Sequence, residues 1–238
     1  MSARPNKYPG SRTIESLTSR YWLNSIANFV VQKARPGRKI FIIGPNRCCT
    51  ATLHAFFERQ GLKSFHWKKG DLNLALEIEN RKNSPDDLRD FLSNWTVYSD
   101  FIYLGEDRVI ENNRLFRTYA DLFPEAYFIL NDRDVDRWVE SRLRHRDGQF
   151  LARYLAATGL TEQSAVARWR TEFIEHRDAV LSYFHGHPRF LHFYTDKADR
   201  KLFLQPGDLV PLIDMLSPDY RLSPGAWTKR HTKRRPDE

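Results

Sequence analysis

The fold of this chain is decided by the stretch Lys39-Ile-Phe-Ile-Ile-Gly-Pro-Asn-Arg-Cys-Cys-Thr-Ala-Thr-Leu-His54. The four apolar residues after Lys39 predict a short buried strand, the Gly-Pro pair predicts a turn, and Thr50 opens an amphipathic helix. Backbone N–H groups at the N-terminus of a helix in this position converge on a bound phosphate. We therefore expect residues 45–52 to form an anion-binding loop.

The loop differs from a Walker A sequence at the positions that hold nucleotide and metal. If Gly44 is the first glycine of G-x-x-x-x-G-K-[ST], the later positions fall on residues 49–51, which are Cys, Thr and Ala. The lysine for the β- and γ-phosphates and the hydroxyl for Mg²⁺ are therefore missing. A cation, Arg47, stands inside the loop instead. The sequence predicts a loop that binds an anion without a metal.

Predicted strands and helices alternate along the rest of the chain. The strands cover residues 39–43, 62–66, 97–103, 126–130 and 189–195, and the helices cover 50–60, 71–82, 85–93, 114–122, 135–145, 161–184 and 208–216. This order predicts an α/β fold, a single domain with a mostly parallel central sheet of about five strands and helices on both faces. Ligands bind such sheets at the carboxyl ends of the strands, so we expect residues 44–52, 65–69 and 131–133 to surround one crevice.

We divide the chain into three parts. Residues 1–37 are predicted to be an N-terminal helical extension, residues 38–217 the α/β domain, and residues 218–238 a basic C-terminal tail. In the extension, apolar residues recur at helical spacing and predict a helix that packs on the domain, namely Ile14, Leu17, Tyr21, Trp22, Ile26, Phe29 and Val30.

The composition bounds the class of protein and of partner. The fractions of apolar (41%), aromatic (13%) and charged (29%) residues are those of a globular protein. No window approaches the roughly 18 apolar residues of a membrane span, so none is expected. The net charge of +8 suits nucleic acid, a membrane surface or a small polyanion, and much of it sits in terminal segments typical of solvated tails. No zinc-finger, RRM or zipper pattern accompanies the charge, and a nucleic-acid partner is not expected.

Cysteine usage indicates the compartment. Cys48 and Cys49 are adjacent, which makes them poor disulfide partners and suggests a reducing environment. The N-terminal residues lack the apolar stretch of a secretory signal, and we expect a cytoplasmic protein. The thiols also have a reactive interpretation, since a helix N-terminus beside Arg47 lowers a thiol pKa. Small-residue packing in the loop is the favoured interpretation.

A second motif follows the fourth predicted strand. Arg133 stands at the strand end, and Ser141 lies eight residues later, about two turns into the next helix. With both motifs the chain resembles the sulfotransferases that use 3′-phosphoadenosine 5′-phosphosulfate (PAPS), which carry a 5′-phosphosulfate loop and a 3′-phosphate Arg followed by a Ser eight residues on. The resemblance spans about residues 39–215 and is closest to short bacterial sulfotransferase-like P-loop proteins with an RD-x-x-x-W-x-x-S helix, here Arg133, Asp134, Trp138 and Ser141.

The resemblance implies a reaction and the residues for it. The reaction is in-line, metal-independent transfer of a sulfuryl group from PAPS to a hydroxyl or amine of a small-molecule or glycan acceptor. Arg47 would neutralise the leaving 5′-phosphate oxygen, and His66 would be the general base, with Asp100 as the alternative. The implied cofactor contacts are Pro45, Asn46, Arg47, Cys48, Cys49, Thr50, Ala51, Thr52, Arg133 and Ser141.

The loop departs from the family pattern at three places. Cys49 replaces the usual glycine, Ala51 replaces a hydroxyl residue, and Leu53 replaces an aromatic residue that stacks on adenine in many relatives. These changes keep open a non-catalytic PAPS- or nucleotide-binding relic of the same fold. A P-loop nucleotide kinase and a basic nucleic-acid-binding module are further alternatives. Neither the acceptor nor the oligomeric state has a sequence signature.

Overall fold

The structure of the chain, a computed structural model, describes residues 14–196 and 204–227. Its strands are β1 (Ile40–Ile42), β2 (Ser64–His66), β3 (Lys68–Lys69), β4 (Leu72–Asn73), β5 (Val97–Ser99), β6 (Ile102–Leu104), β7 (Val109–Glu111), β8 (Tyr127–Asp132) and β9 (Phe190–Tyr194). Its helices are α1 (Ile14–Ala34), α2 (Thr50–Glu58), α3 (Leu74–Arg81), α4 (Pro85–Ser93), α5 (Phe116–Leu122), α6 (Val135–Leu143), α7 (Gln149–Thr158), α8 (Glu162–Tyr183) and α9 (Val210–Leu216). Short 3₁₀ turns lie at Asn112–Leu115, Pro206–Leu209 and Pro224–Ala226.

Five strands form a central sheet in the order β2-β5-β1-β8-β9, and all of them are parallel. In the centre, Ile40 of β1 pairs with Val97 of β5 on one side and Tyr127 of β8 on the other. Because side chains alternate along a strand, Phe41 packs in the core under α4, α5 and α8, whereas Ile42 packs in the core under α2 and α9. The predicted α/β fold with a parallel sheet and helices on both faces is confirmed.

Two predicted boundaries next to the sheet are wrong. The strand expected over 97–103 breaks at Asp100, whose φ of 63° turns the chain out of the sheet, and β6 pairs with β7 in an antiparallel hairpin instead. The helix expected over 71–82 begins only at Leu74, because Leu72 and Asn73 pair with β3 in a second small hairpin. Both hairpins therefore leave the carboxyl-end edge of the sheet, where ligands bind in this class of fold.

The helix α7, between α6 and α8, is not predicted from the sequence. Its residues fall in a stretch without a long apolar period, for which the sequence predicts a loop. Phe150 and Tyr154 on α7 are buried against Trp169 of α8, with ring centroids 5.9 and 5.0 Å from that indole. Contacts with a distant helix, not local periodicity, thus define this element.

The N-terminal helix is present, but it packs on the domain through the opposite face from the one expected. Trp22, Ile26, Phe29 and Val30 are exposed, and Asn28 is fully buried. The helix therefore packs on the domain, but these four apolar residues do not form the packed face. The side chains of residues 14–21 lie outside the described part of the chain, as do residues 1–13 with their basic side chains.

Residues 219–227, within the segment assigned from sequence to the C-terminal tail, pack into the core beside α2 and α9. Tyr220 and Trp227 are buried, and the Trp227 indole meets Phe56 edge-on at 5.7 Å. The indole Nε1 of Trp227 donates a hydrogen bond to the Leu204 carbonyl at 2.9 Å. The basic residues of 228–238 lie outside the described residues.

Candidate functional site

A cleft of about 780 Å³ opens at the carboxyl-end edge of the central sheet. The three segments that the sequence places around one crevice meet there, since Arg47, His66 and Arg133 all line it. The cleft has two sides. The loop side consists of residues 44–52 and 131–142, and the hairpin side consists of lining residues from 67–73, 100–104 and 145–153.

The start of the loop is tied to β8 by one carboxamide. Gly44 N donates to Asn131 Oδ1 at 2.7 Å, and Asn131 Nδ2 donates to the Cys48 carbonyl at 2.6 Å. A Cβ atom on Gly44 would lie 2.0 Å from the Asn131 carbonyl oxygen, so this position requires glycine. Asn131 is fully buried and thus holds both limbs of the loop in one arrangement.

The loop backbone turns through two left-handed residues that are not glycine. Arg47 has φ 69° and Cys49 has φ 67°. Cys49 therefore adopts the conformation for which glycine is the usual residue, at a cost of about 1–2 kcal/mol. Cys49 is the N-cap of α2, and the N–H groups of residues 50 and 51 belong to its first turn, whose donors have no partner within the helix. These N–H groups lie at the N-terminus of α2, where the helix dipole favours an anion.

A buried layer beneath the loop fixes Asn46. Trp138 Nε1 donates to the Asn46 carbonyl at 2.8 Å, and Arg142 Nε donates to Asn46 Oδ1 at 3.0 Å. Arg142 is fully buried, pairs with Glu111 of β7, and lies 4.4 Å from the Trp138 ring and 5.0 Å from the Trp169 ring. The tryptophan of the RD-x-x-x-W-x-x-S helix thus supports the loop.

Sequence reasoning missed Arg142 and Glu111 in this layer. Arg142 stands one residue beyond Ser141 in α6, and its partner Glu111 lies 31 residues earlier in the second hairpin. A charged residue at a helix position that faces the core is the one signal that could have pointed to it.

The two sequence motifs meet in the cleft. Arg47 Nε donates to Ser141 Oγ at 3.1 Å, and Arg133 Nη1 donates to the Arg47 carbonyl at 2.9 Å. Arg133 also pairs with Asp196 at 3.0 Å, and Arg137 approaches the same carboxylate at 3.9 Å. Burial lowers the pKa of Arg47, the nearby Asp100 carboxylate opposes this, and the charge of Arg133 adds to it. The guanidinium groups of Arg47 and Arg133 and the hydroxyl of Ser141 therefore lie close together in the cleft.

The two candidate bases lie side by side. His66 Nδ1 is 3.0 Å from Ser99 Oγ, and His66 Nε2 is 3.5 Å from Asp100 Oδ2. Burial raises the pKa of Asp100 to about 7, although Arg47 and Arg142 counteract that rise. Within the described residues, Asp100 Oδ1 is buried and has no hydrogen-bond partner. A carboxyl with a pKa near neutrality and a free oxygen is suited to accept a proton.

His54, a second histidine near this site, packs away from the open cleft. Its ring stacks on His66 with centroids 5.1 Å apart, and its Nδ1 is 2.7 Å from Ser64 Oγ. Its Nε2 pairs with Glu58 one turn along α2. His54 therefore supports the His66 ring from behind.

The remaining sequence candidates divide by position. Asn46, Cys49 and residues 50–52 line the cleft, whereas Pro45 and Cys48 are buried beneath the loop. Leu53 is fully buried in the core under α2 and does not face the cleft. Burial raises the pKa of both thiols, so the low thiol pKa of the reactive interpretation is not found.

The hairpin side carries aromatic and basic side chains. Trp67 is 39% exposed, and the guanidinium of Arg146 lies 5.7 Å from its ring centroid. Tyr103 and Arg153 line the same wall. Burial, with the positive charges of Arg47, Arg146 and Arg142, lowers the pKa of His145 to about 4, and this ring is neutral at pH 7.

In residues 14–196 and 204–227, no group of three or more His, Cys, Asp or Glu side chains is arranged to hold a metal ion. No helix in the same ranges has the length and apolar character needed to cross a membrane.

Comparison with known proteins identifies the family. The family model described as a sulfotransferase domain matches residues 39–189, which include the loop, both candidate bases and the Arg133–Ser141 pair. A search of curated proteins finds no match. Because the matched segment covers more than half of the chain, the protein belongs to the sulfotransferase domain family.

Proposed function

We propose that this protein transfers the sulfuryl group of PAPS to a hydroxyl or amine of a small-molecule or glycan acceptor. The observation that carries the proposal is the contact of Arg47 Nε with Ser141 Oγ at 3.1 Å. It joins the loop expected to bind the 5′-phosphosulfate to the helix expected to bind the 3′-phosphate. Separation of the two motifs would have argued for a relic of the fold.

The donor set of the cleft fits a ligand with two phosphate groups. The N–H groups of residues 47–51 and the hydroxyls of Thr50 and Thr52 would hold the 5′-phosphate. Arg133 and Ser141 would hold the 3′-phosphate, for which Asp196 competes through its pair with Arg133. When bound, PAPS supplies an activated sulfuryl group attached to its 5′-phosphate. The cleft volume of about 780 Å³ lies in the range of sites for ligands of this size.

Charge stabilisation is the role of Arg47. Its guanidinium projects into the cleft beside the N-terminus of α2, where it neutralises negative charge on the leaving phosphate oxygen. The hydrogen bond to Ser141 and the buried support of Asn46 keep this part of the loop in place. A group that is held before reaction needs no reorganisation when charge develops.

Proton removal from the acceptor is the role of the His66–Asp100 pair. His66 Nε2 accepts the proton, Ser99 Oγ holds Nδ1, and the Asp100 carboxylate at 3.5 Å stabilises the resulting imidazolium. Asp100 is the alternative base, because its raised pKa and unpartnered Oδ1 suit the same task.

Calorimetric titration with 3′,5′-adenosine bisphosphate tests the donor site, with AMP and ATP/Mg²⁺ as controls. We expect micromolar binding of the bisphosphate, weak binding of AMP, and at least about a tenfold loss of bisphosphate affinity in Arg133→Ala. Arg168→Ala is the matched control, because Arg168 pairs with Glu172 on the surface of α8, away from the cleft. Equal binding of AMP and the bisphosphate would overturn the proposal.

Transfer itself is tested with ³⁵S-labelled PAPS and a panel of phenols, amines and glycans. Formation of labelled product by the wild type, and its loss in His66→Ala or Asp100→Ala, would support sulfuryl-transfer activity. Bisphosphate binding without any labelled product would favour the non-catalytic relic.

A further inference from the structure

The N-terminal helix α1 is attached to the domain by a polar face. The Asn28 side chain donates to the carbonyls of Gln60 at 2.8 Å and Arg221 at 3.0 Å, and it accepts from the Arg221 N–H at 2.8 Å. One turn later, Gln32 Oε1 accepts from Lys63 N at 2.9 Å and from Thr96 Oγ1 at 2.7 Å. These five hydrogen bonds, of which the Asn28–Gln60 bond is buried, fix the rotation of the helix about its axis.

A close backbone contact fixes the same rotation independently. Gly61, with φ 78°, lies against α1 so closely that a Cβ atom would stand 2.8 Å from the Ser25 Cα. The domain thus presents a glycine at the point where the polar face of the helix approaches. The orientation of α1 is a specified feature of the fold.

This orientation turns the apolar side chains of α1 away from the domain. We call them the outer stripe: Trp22 (67% exposed), Leu23 (61%), Ile26 (43%), Phe29 (53%) and Val30 (56%). They make up five of the eleven large apolar side chains that are exposed in the described residues. A concentration of exposed apolar side chains on one helix face is typical of a surface that binds another protein, a membrane or a ligand.

We propose that the outer stripe binds the interfacial region of an anionic phospholipid bilayer. Helices that lie in this region combine Trp, Phe and Leu on one face with flanking Lys and Arg. Residues 1–37 carry six basic residues, Arg4, Lys7, Arg12, Arg20, Lys33 and Arg35, against the single acidic residue Glu15. Lys33 Nζ lies 5.9 Å from the Phe29 ring, at the edge of the stripe. Arg35 pairs with Asp219 at 2.7 Å, and the remaining excess of positive charge matches a negative lipid surface.

Other occupants fit the stripe less well. Residues 1–13 contain few apolar side chains and residues 228–238 contain none, so neither segment offers an apolar face to cover it. From Trp22 to Val30 the helix rises only about 12 Å, which is short for the roughly 800 Å² per partner that a stable dimer buries. Two copies would also bring two segments of the same positive charge together.

Co-sedimentation with lipid vesicles tests the proposal. The vesicles are phosphatidylcholine alone and phosphatidylcholine mixed with phosphatidylglycerol. We expect the full chain to sediment with the anionic vesicles and much less with the neutral ones. The double variant Trp22→Ser/Phe29→Ser should lose at least about tenfold in partitioning, since two large apolar groups no longer leave water.

The control variant is Val210→Ser, which removes an apolar side chain that is 51% exposed on α9 and should partition like the wild type. Circular dichroism and bisphosphate binding check that each variant is folded. Equal sedimentation of the double variant and the wild type, or no sedimentation of the wild type, would overturn the proposal. A wild-type dimer in light scattering that the double variant lacks would also overturn it, in favour of a second copy as the occupant.

Discussion

The two sides of the cleft are held in different ways. On the loop side, the polar groups of Gly44, Asn46 and Cys48 are fixed by hydrogen bonds from β8 and α6 that lie out of contact with water. On the hairpin side, Trp67 is 39% exposed, and the Arg146 guanidinium lies 5.7 Å from its ring centroid. Buried polar groups require defined partners, whereas exposed ones exchange with solvent. The loop side is therefore held in one arrangement, as the proposed phosphate site requires, whereas the hairpin side, where we propose that the acceptor binds, is less constrained.

The largest expected effect comes from the buried layer on the loop side. Arg142→Ala removes the buried cation beside Glu111, which retains the more exposed Arg114 at 3.4 Å. It also removes the partner of Asn46 Oδ1 and leaves a cavity between aromatic rings. Loss of one partner of a buried ion pair costs about 3–5 kcal/mol in the free energy of unfolding. Urea denaturation monitored by circular dichroism measures it.

The matched control for that measurement lies two residues away. Arg144 is 75% exposed and pairs with Glu140 one turn earlier on α6. Arg144→Ala should change the free energy of unfolding by less than about 0.5 kcal/mol, because exposed pairs contribute little. Similar losses in the two variants would mean that the buried layer does not hold the loop.

The second-largest effect is expected from Gly44→Ala, which adds a single methyl group to the loop. In Gly44→Ala the new Cβ would stand 2.0 Å from the Asn131 carbonyl, so the loop or β8 must shift. Overpacking of this kind costs about 1–3 kcal/mol, and the displaced N–H groups should weaken bisphosphate binding as well. Calorimetry and urea denaturation give the two values. Gly37→Ala, where the added carbon meets nothing within 4 Å, should leave both unchanged.

The difference between the two sides also explains which parts of the site could be predicted from the sequence. The loop side depends on local order, a strand followed by a turn and a helix, and on an Arg–Ser spacing that runs from the end of β8 into α6, so its residues could be predicted. The hairpin side depends on the turn at Asp100 and on α7, which are set by contacts between distant elements. Arg142 and Glu111 are 31 residues apart and have no shared local pattern. The outward face of α1 was missed because periodicity shows that a helix has an apolar face, not which way it points.

The pH dependence of stability should single out Asp100. Its pKa in the folded protein is about 7, above the unfolded value near 3.8. Between these two pH values the folded state binds more protons than the unfolded state. The stabilisation that Asp100 gives the folded state is therefore present below about pH 4 and is lost as the pH rises through about 7. Asp100→Asn removes this loss. Between pH 5 and 8 we expect the free energy of unfolding of the variant to rise by about 1–2 kcal/mol relative to the wild type. The effect is limited to this size because water reaches a carboxyl that is 16% exposed.

Chemical denaturation at the two pH values measures the difference, and Asp178→Asn is the control, since that carboxyl is 64% exposed. Parallel curves for the wild type and Asp100→Asn would show that the carboxyl is ionised normally in the folded protein. Asp100 would then act only by holding His66.

The smallest effect on stability should come from the hairpin side, where Trp67→Ala sharpens the comparison. The Trp67 backbone is held by hydrogen bonds with Ser99 and Leu74, which the substitution keeps, and the lost side chain is 39% exposed. We expect a change below about 1 kcal/mol in the free energy of unfolding and an unchanged bisphosphate affinity. The KM for the acceptor should rise several-fold, because an aromatic wall of its pocket is gone. Leu72→Ala, equally exposed on the same hairpin but outside the cleft, should leave that KM unchanged. A loss of bisphosphate affinity in Trp67→Ala would show instead that the two sides are coupled, most directly through Glu111, which joins the second hairpin to the layer beneath the loop.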